Sequence, residues 1–289
     1  MDFGRVVTAM VTPFDSKGNV DFPKVTKLIE YLINNGSDGV VVAGTTGESP
    51  TLTTEEKVAL FRHVMKVVDG RIRVIAGTGS NNTYSSVELT RKAEEIGVDG
   101  VMLVAPYYNK PSQMGLYEHF KAIAEKTTLP IMIYNVPGRT MVNIEAETVI
   151  ALSKIDNIVA VKEASGNLDQ MTWIIANTDE DFHLYSGDDS LILPILSIGG
   201  AGVVSVASHI IGNEIQDIFS LYESGNVKEA AEMHQKYFSL IKGLFMAPSP
   251  TPVKTALQLI GLDVGGVRLP LVPLTSEERS LISSLLENK

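Results

Sequence analysis

Cysteine is absent from this 289-residue chain, and basic residues are in the minority. Without cysteine, the chain cannot form disulfides, thiolate zinc sites, iron–sulfur clusters or a cysteine nucleophile. Lys and Arg together number 24 against 34 Asp and Glu, which gives a net charge of −10. An acidic chain is repelled by nucleic acid and by anionic membranes, so we expect neither as a partner. The lack of cysteine fits the reducing cytoplasm, and we expect a cytoplasmic protein.

No targeting or membrane signal stands out. The first residues, MDFGRVV, lack the basic and long apolar regions of a signal peptide. The stretch 190–213 has no charged residue if its histidine is neutral, and it is long enough to span a bilayer. Pro194 and four glycines interrupt it. We interpret it as a short helix, a glycine turn, a buried strand and the start of another helix.

Eight short apolar runs alternate with helical patterns over residues 1–224. Each run reads as a strand covered on both faces: Val6–Val11, Gly39–Ala43, Val74–Ala76, Gly100–Val104, Ile131–Tyr134, Ile158–Val161, His183–Tyr185 and Gly202–Val206. The segments between them, such as Thr54–Val68, have apolar residues at helical spacing. Eight such units predict an α/β fold, the closed (β/α)₈ TIM barrel. An open doubly wound sheet is the alternative, but its dinucleotide fingerprint is missing.

The rest of the chain, residues 225–289, has helical patterns with no strand between them. They cover Val227–Phe245, Pro252–Ile260 and Ser276–Leu286, and prolines separate the first two. We predict a C-terminal helical domain that follows the catalytic barrel.

Lys162 is the most informative residue at the predicted barrel mouth, where active sites of this fold lie. It follows the apolar run Ile158–Val161. Inside a barrel its amine loses hydration, which favours the neutral form that attacks ketones and forms a Schiff base. The alternative is a lysine that extends to solvent and pairs with Glu163. The position of Lys162, taken alone, favours that alternative.

Two tyrosines and a threonine follow other strands at the same end of the barrel. Tyr134 ends the fifth run, Tyr108 follows the fourth and Thr45 follows the second. Schiff-base chemistry needs several proton transfers, and linked hydroxyl groups can carry them. The alternative is that these side chains pack at the mouth with their hydroxyls in water. From these residues alone, the two interpretations are evenly balanced.

Two further positions suit the binding of a carboxylate. Thr45 and Thr46 lie between glycines before a helix, where backbone N–H groups can hold an anion. The same threonines and Glu48 also suit local capping of that helix. Arg139 lies in a Pro-Gly-Arg-Thr loop, and its guanidinium fits a carboxylate through two hydrogen bonds. A loop arginine is otherwise usually solvated.

The sequence carries no pattern typical of a metal site. None of the five histidines has metal-ligand spacing, and Asp188-Asp189 suits the cap of a helix. We therefore expect no metal and no other cofactor.

Five motifs, in order, resemble the dihydrodipicolinate synthase family within the N-acetylneuraminate lyase superfamily of pyruvate-dependent class I aldolases. They are Gly44-Thr45-Thr46-Gly47-Glu48, Tyr107-Tyr108-Asn109, Tyr134–Thr140, Val161-Lys162-Glu163-Ala164 and Ser186-Gly187-Asp188-Asp189. The resemblance extends from Thr12-Pro13 to Arg268-Leu269-Pro270. It implies a lyase in which pyruvate forms a Schiff base on Lys162. The enamine would condense with L-aspartate 4-semialdehyde to 4-hydroxy-tetrahydrodipicolinate, a precursor of diaminopimelate and lysine.

The resemblance also implies roles for other residues at the mouth. Tyr134, Thr45 and Tyr108 would form the proton relay, Thr46 and the Val204 backbone would hold pyruvate, Gly187 would line the pocket, and Arg139 would bind the carboxylate of the semialdehyde. Family members are usually homotetramers built as dimers of dimers. Tyr108 would then enter the relay from the neighbouring subunit, so a monomer should be nearly inactive.

Two alternatives to the synthase remain open. Sibling aldolases act on N-acetylneuraminate or 2-keto-3-deoxy sugar acids and share the lysine and the tyrosine of the fifth strand. Sialate lyases typically have serine at the position of Thr45 and lack the arginine at Arg139, so both residues favour the synthase. A barrel that only binds a keto acid as a sensor has no need of Lys162, Tyr134 and Thr45 together.

Regulation by lysine is expected to be weak or absent. Lysine-inhibited members of the family carry histidines, and often an acidic residue, at the positions of Thr54, Lys57 and Ser85. Lys57 would place a positive charge near the amino group of a bound lysine, which is repulsive.

Overall fold

Eight parallel strands form a closed barrel in the computed structural model, which describes residues 2–287 and 289. The strands are β1 Val6–Ala9, β2 Gly39–Val42, β3 Arg73–Gly77, β4 Gly100–Val104, β5 Ile131–Asn135, β6 Ile158–Glu163, β7 His183–Ser186 and β8 Gly202–Ser205. Each strand pairs with the next along the chain, and β8 pairs with β1. The predicted (β/α)₈ barrel is therefore confirmed.

Helices surround the barrel and continue after its last strand. Around the barrel they are α1 Phe22–Asn34, α2 Thr54–Val68, α3 Thr83–Ile96, α4 Gln113–Ala124, α5 Pro137–Thr140, α6 Ala146–Leu152, α7 Leu168–Ala176, α8 Ile192–Ser197 and α9 Ser208–Glu223. The C-terminal helices are α10 Val227–Gly243, α11 Thr251–Leu259 and α12 Ser276–Glu287. Short 3₁₀ turns at Ser49–Thr51 and Asp189–Leu191 lie at the barrel mouth.

Capping residues explain why α2 begins where the sequence predicts. The Thr53 hydroxyl accepts a hydrogen bond from the Glu56 N–H at 3.2 Å, and the Glu56 carboxylate accepts one from the Thr53 N–H at 2.9 Å. This reciprocal capping box satisfies two backbone donors that the helix itself leaves unpaired. Four residues of the helix, from Leu60 to Val68, are buried against the barrel at helical spacing.

Apolar side chains alternate between two layers along each strand. One set, which includes Val7, Val41, Met102 and Val204, fills the interior of the barrel. The other set lies between the strands and the helices and continues into α10, α11 and α12. Because the C-terminal helices share this second layer with the barrel, the division at residues 224 and 225 stays a prediction.

The structure of the uncharged stretch 190–213 confirms the interpretation made from the sequence. It contains the end of a 3₁₀ turn, α8, β8 and the first residues of α9. Among the residues that the structure describes, no helix is long and apolar enough to cross a membrane.

Candidate active site

Strands β5 and β6 place Tyr134 and Lys162 side by side near the carboxyl end of the barrel. The two residues are paired in the register of the strands. Their exposed fractions are only 4% and 5%. The Lys162 Nζ atom lies 4.2 Å from the centroid of the Tyr134 ring. The apolar run of the sequence covers Ile158–Val161, and β6 also includes Lys162 and Glu163 at its end.

Burial changes the acidity of the Lys162 amine. Its pKa falls from 10.5 to about 7, mainly because burial removes hydration and to a smaller extent because Arg139 is positively charged. The negative charge of Asp189 acts in the opposite direction. A large fraction of the amine is thus neutral at physiological pH, which is the form that attacks a carbonyl group.

Glu163 does not pair with Lys162, so the alternative of a solvent-exposed lysine paired with this carboxylate is wrong. Successive side chains of a strand point to opposite faces, and Glu163 faces the helices. Its Oε2 atom accepts hydrogen bonds from Asn135 Nδ2 and Gln170 Nε2, each at 2.9 Å. Glu163 and Asn135 are fully buried, and their hydrogen bond joins β5 to β6 directly behind Lys162.

Two members of the predicted proton relay are in contact. Burial raises the pKa of the Tyr134 hydroxyl to about 12, although the charge of Arg139 and the neighbouring Thr45 hydroxyl act in the opposite direction. Thr45 lies in the turn after β2 and borders the same cavity as Tyr134. The hydroxyl of Tyr134 is therefore a weaker acid than that of an exposed tyrosine.

The third member of the predicted relay, Tyr108, lies outside the cavity of this chain. Its side chain is 90% exposed, and its backbone has the left-handed φ of 73°. A tyrosine seldom adopts a left-handed backbone conformation. Within the part of the chain that the structure describes, Tyr108 does not line the cavity that Tyr134 and Thr45 line, so one copy does not bring the three predicted residues together.

A cavity of about 450 Å³ at the barrel mouth brings most of the predicted site residues together. Besides Lys162, it is lined by Thr45, Thr46, Tyr134, Arg139 and Gly187. Val204 does not line it, since this residue is buried with the apolar side chains inside the barrel. The cavity combines the buried Lys162 amine with hydroxyl and guanidinium groups that suit a carboxylate.

Gly187 is a glycine because the cavity wall leaves no room for a side chain. A Cβ atom at this position would lie 2.7 Å from Ala164 Cβ and 3.1 Å from Lys162 Cε. The Gly187 N–H donates a hydrogen bond to the Glu163 carbonyl at 2.7 Å, which fixes the backbone against β6. The absence of a side chain thus leaves space around the Lys162 amine.

Asp189 is a buried neighbour of the site that sequence reasoning missed. Asp188 caps the 3₁₀ turn, as predicted, by accepting a hydrogen bond from the Ser190 N–H at 2.8 Å. Asp189 instead lies 1% exposed and accepts hydrogen bonds from the Val206 and Ala207 N–H groups at 3.0 and 2.9 Å. Its interpretation as part of the same cap is wrong, and nothing local in the sequence marks its long-range partners.

Lys57 lines a second cavity of about 260 Å³, which adjoins the first through Thr45, Tyr134 and Arg139. Burial lowers the pKa of the Lys57 amine. No carboxylate side chain is among the residues that line this cavity. Among the described residues, no group of three His, Asp or Glu side chains is placed to hold a metal ion.

Comparisons with known proteins agree with these features over the whole chain. Residues 2–289 match the model of the Dihydrodipicolinate synthetase family. The chain is 64% identical over 287 residues to 4-hydroxy-tetrahydrodipicolinate synthase of Bacillus subtilis, with 99% of both chains covered.

Solved structures give the same result. Dihydrodipicolinate synthase of Bacillus anthracis is 62% identical, with a TM-score of 0.98 and coverage of 99% of this chain and 98% of that one. The enzyme of Cyanidioschyzon merolae, solved with lysine bound, is 50% identical, with a TM-score of 0.98 and the same coverage.

Proposed function

This chain belongs to the dihydrodipicolinate synthase family, and from that premise we propose that it acts as a 4-hydroxy-tetrahydrodipicolinate synthase. It condenses pyruvate with L-aspartate 4-semialdehyde in the diaminopimelate and lysine pathway. The observation that carries the proposal is Lys162, a buried amine with a pKa of about 7 beside Tyr134 in the barrel mouth.

The chemistry begins with the neutral Lys162 amine. Its lone pair attacks the keto carbon of pyruvate, and loss of water from the carbinolamine leaves an iminium. The iminium withdraws electrons, so the methyl carbon loses a proton and becomes the nucleophilic end of an enamine. That carbon bonds to the aldehyde carbon of the semialdehyde. The amino group of the bound semialdehyde then attacks the iminium carbon, closes the ring and releases Lys162.

Each step moves a proton, and the hydroxyls at the mouth are proposed to carry it. Tyr134, Thr45 and Tyr108 form the relay, and the proximity of Tyr134 to Thr45 in one cavity supports the first link. Thr46 holds pyruvate, and Gly187 lines its pocket. Arg139 binds the carboxylate of the semialdehyde through its guanidinium.

The proposal includes an oligomer, because Tyr108 does not line the cavity of its own chain. A homotetramer built as a dimer of dimers would bring this side chain into the neighbouring subunit. Its 90% exposure and left-handed backbone support such a contact. We also propose a cytoplasmic location, where pyruvate is supplied by central metabolism.

Borohydride reduction in the presence of pyruvate tests the Schiff base directly. The proposed mechanism predicts a covalent adduct on the peptide that contains Lys162 and none in Lys162→Ala. A sensor that only binds a keto acid would give no adduct. The folded state of Lys162→Ala is checked by circular dichroism, because a molten spectrum would mean that Lys162 is structural.

A panel of aldehydes identifies the acceptor. Initial rates are measured with pyruvate and either aspartate semialdehyde, N-acetylmannosamine or glyceraldehyde. Preference for the semialdehyde, lost in Lys162→Ala, supports the synthase. Preference for a sugar would retain the Schiff base but contradict the role of Arg139 and favour a sibling aldolase.

A further inference from the structure

The C-terminal helices reach the loop that carries Thr45 and Thr46 through a buried ion pair. The Nζ atom of Lys254, on α11, lies 2.7 Å from the Oε1 atom of Glu48. The two side chains are only 2% and 1% exposed. The expectation that Glu48 caps the following helix is wrong, because its side chain makes no capping hydrogen bond there.

The second oxygen of Glu48 is also held by the C-terminal segment. Its Oε2 atom accepts a hydrogen bond from the Arg268 N–H at 2.9 Å. The Arg268 side chain donates to the Thr51 carbonyl at 2.6 Å and pairs with Glu56 on α2. Lys254 also donates to the Gly266 carbonyl at 2.7 Å. Residues 254–268 thus hold both oxygens of Glu48.

The backbone connects Glu48 to the catalytic loop with little freedom. The Glu48 N–H donates to the Thr45 carbonyl at 3.1 Å, and the Thr12 hydroxyl donates to the Gly47 carbonyl at 2.6 Å. Glu48 itself has a left-handed φ of 57°. A residue with a side chain keeps this conformation only where its surroundings hold it. A displacement of Glu48 would therefore move Thr45.

We propose that Glu48 is a positioning residue, whose buried ion pair with Lys254 fixes the loop that presents Thr45 and Thr46 to pyruvate. Through this ion pair the C-terminal helices act on the loop from outside the cavity, in addition to Ile241 and Lys242 of α10, which line the cavity wall. The inference rests on the proposed function, because it concerns the site in which pyruvate would bind. Small displacements of such a loop change reaction rates strongly, since reacting groups must be held in near-attack geometry.

Three variants separate positioning from simple stability. Glu48→Gln keeps the shape of the side chain and removes its charge. Lys254→Met removes the ammonium and leaves the carboxylate buried without its partner, which is strongly destabilising. The double variant Glu48→Gln/Lys254→Met removes both charges, and replacing a buried ion pair as a whole is often neutral for stability.

Asp263→Asn is the matched control. Lys24 on α1 pairs with Asp263 at 2.7 Å, so this contact also joins the barrel to the C-terminal segment. It does not touch the loop that carries Thr45. The control is expected to retain the wild-type rate of adduct formation and the wild-type KM for pyruvate.

The readouts are the unfolding midpoint, the rate of borohydride-trapped adduct formation, and kcat and KM for pyruvate. Positioning predicts that the double variant unfolds close to the wild-type midpoint, while its kcat/KM for pyruvate and its trapping rate fall about tenfold or more. Glu48→Gln provides a second folded variant, because burial already lowers the pKa of Lys254 to about 8 and its amine can lose the proton. This variant should show the same kinetic loss.

Wild-type kinetics in the double variant and in Glu48→Gln would overturn the inference, whatever their stability. If the double variant fails to fold, Glu48→Gln alone decides the question by the same kinetic criterion. A wild-type chain that forms no adduct with pyruvate would overturn the proposed function, and this inference with it. The trapping experiment on the wild-type protein reveals that outcome before any variant is made.

Discussion

The rate at which Lys162 captures pyruvate should depend only weakly on pH above neutrality. With a pKa of about 7, roughly half of the amine is neutral at pH 7 and nearly all of it at pH 9, so the rate should rise about twofold. With the ordinary lysine pKa of about 10.5, the neutral fraction would rise about a hundredfold over the same interval. The difference arises from the loss of hydration of a side chain that is 5% exposed.

The assay mixes the protein with pyruvate at a series of pH values and reduces samples with borohydride at successive times. The adduct is measured by mass spectrometry on the peptide that contains Lys162. A rise of about a hundredfold, with no plateau below pH 9, would refute the argument that burial controls this amine.

Asp189→Asn provides an internal check on the same profile. The negative charge of Asp189 raises the pKa of Lys162, so its removal should move the midpoint of the profile to lower pH. Asparagine keeps an oxygen that can accept the hydrogen bonds of the Val206 and Ala207 N–H groups. An unchanged or higher midpoint would contradict the electrostatic account.

Four further predictions follow from single residues. Folding lowers the pKa of Lys162 from 10.5 to about 7, so the unfolded chain binds more protons than the folded chain between those pH values. This group should therefore raise the free energy of unfolding by ~1.4 kcal/mol for each pH unit in that interval. The free energy of unfolding of Lys162→Met, measured in urea, should thus be larger than that of the wild type by ~2–5 kcal/mol at pH 7, and this difference should shrink towards pH 10. Gly187→Ala should slow trapping and lower stability by ~1–3 kcal/mol, because its Cβ would lie 2.7 Å from a neighbouring carbon; normal trapping would contradict the tight wall. Tyr108→Phe should reduce turnover about a hundredfold with no change in the fold of the chain, whereas unchanged turnover would exclude Tyr108 from the relay. L-lysine at millimolar concentration should inhibit weakly in a steady-state assay, because Lys57 is an unfavourable neighbour for an ammonium group; strong inhibition would overturn this expectation.

The sequence alone determined the barrel, and the reason is local. A strand covered on both faces is a short continuous apolar run, and eight such runs were separated by segments with helical spacing. Helix α2 spans the same residues as predicted, because its apolar spacing and its capping box are encoded within a few positions. The catalytic candidates could be named for the same reason, since most of them lie just after a strand, and this fold brings those ends together.

Tertiary structure decided the properties that depend on distant residues. Strand β6 continues past its apolar run because the Glu163 carboxylate accepts hydrogen bonds from amide side chains on β5 and α7. Lys162 therefore remains inside the barrel, where burial lowers its pKa to about 7. Glu48 pairs with Lys254, which lies 206 positions away in the chain, and no local sequence pattern predicts this contact. The order of apolar and polar residues is thus sufficient to predict a barrel. The burial of a charge and the choice of its partner arise only when the folded chain removes water from around it.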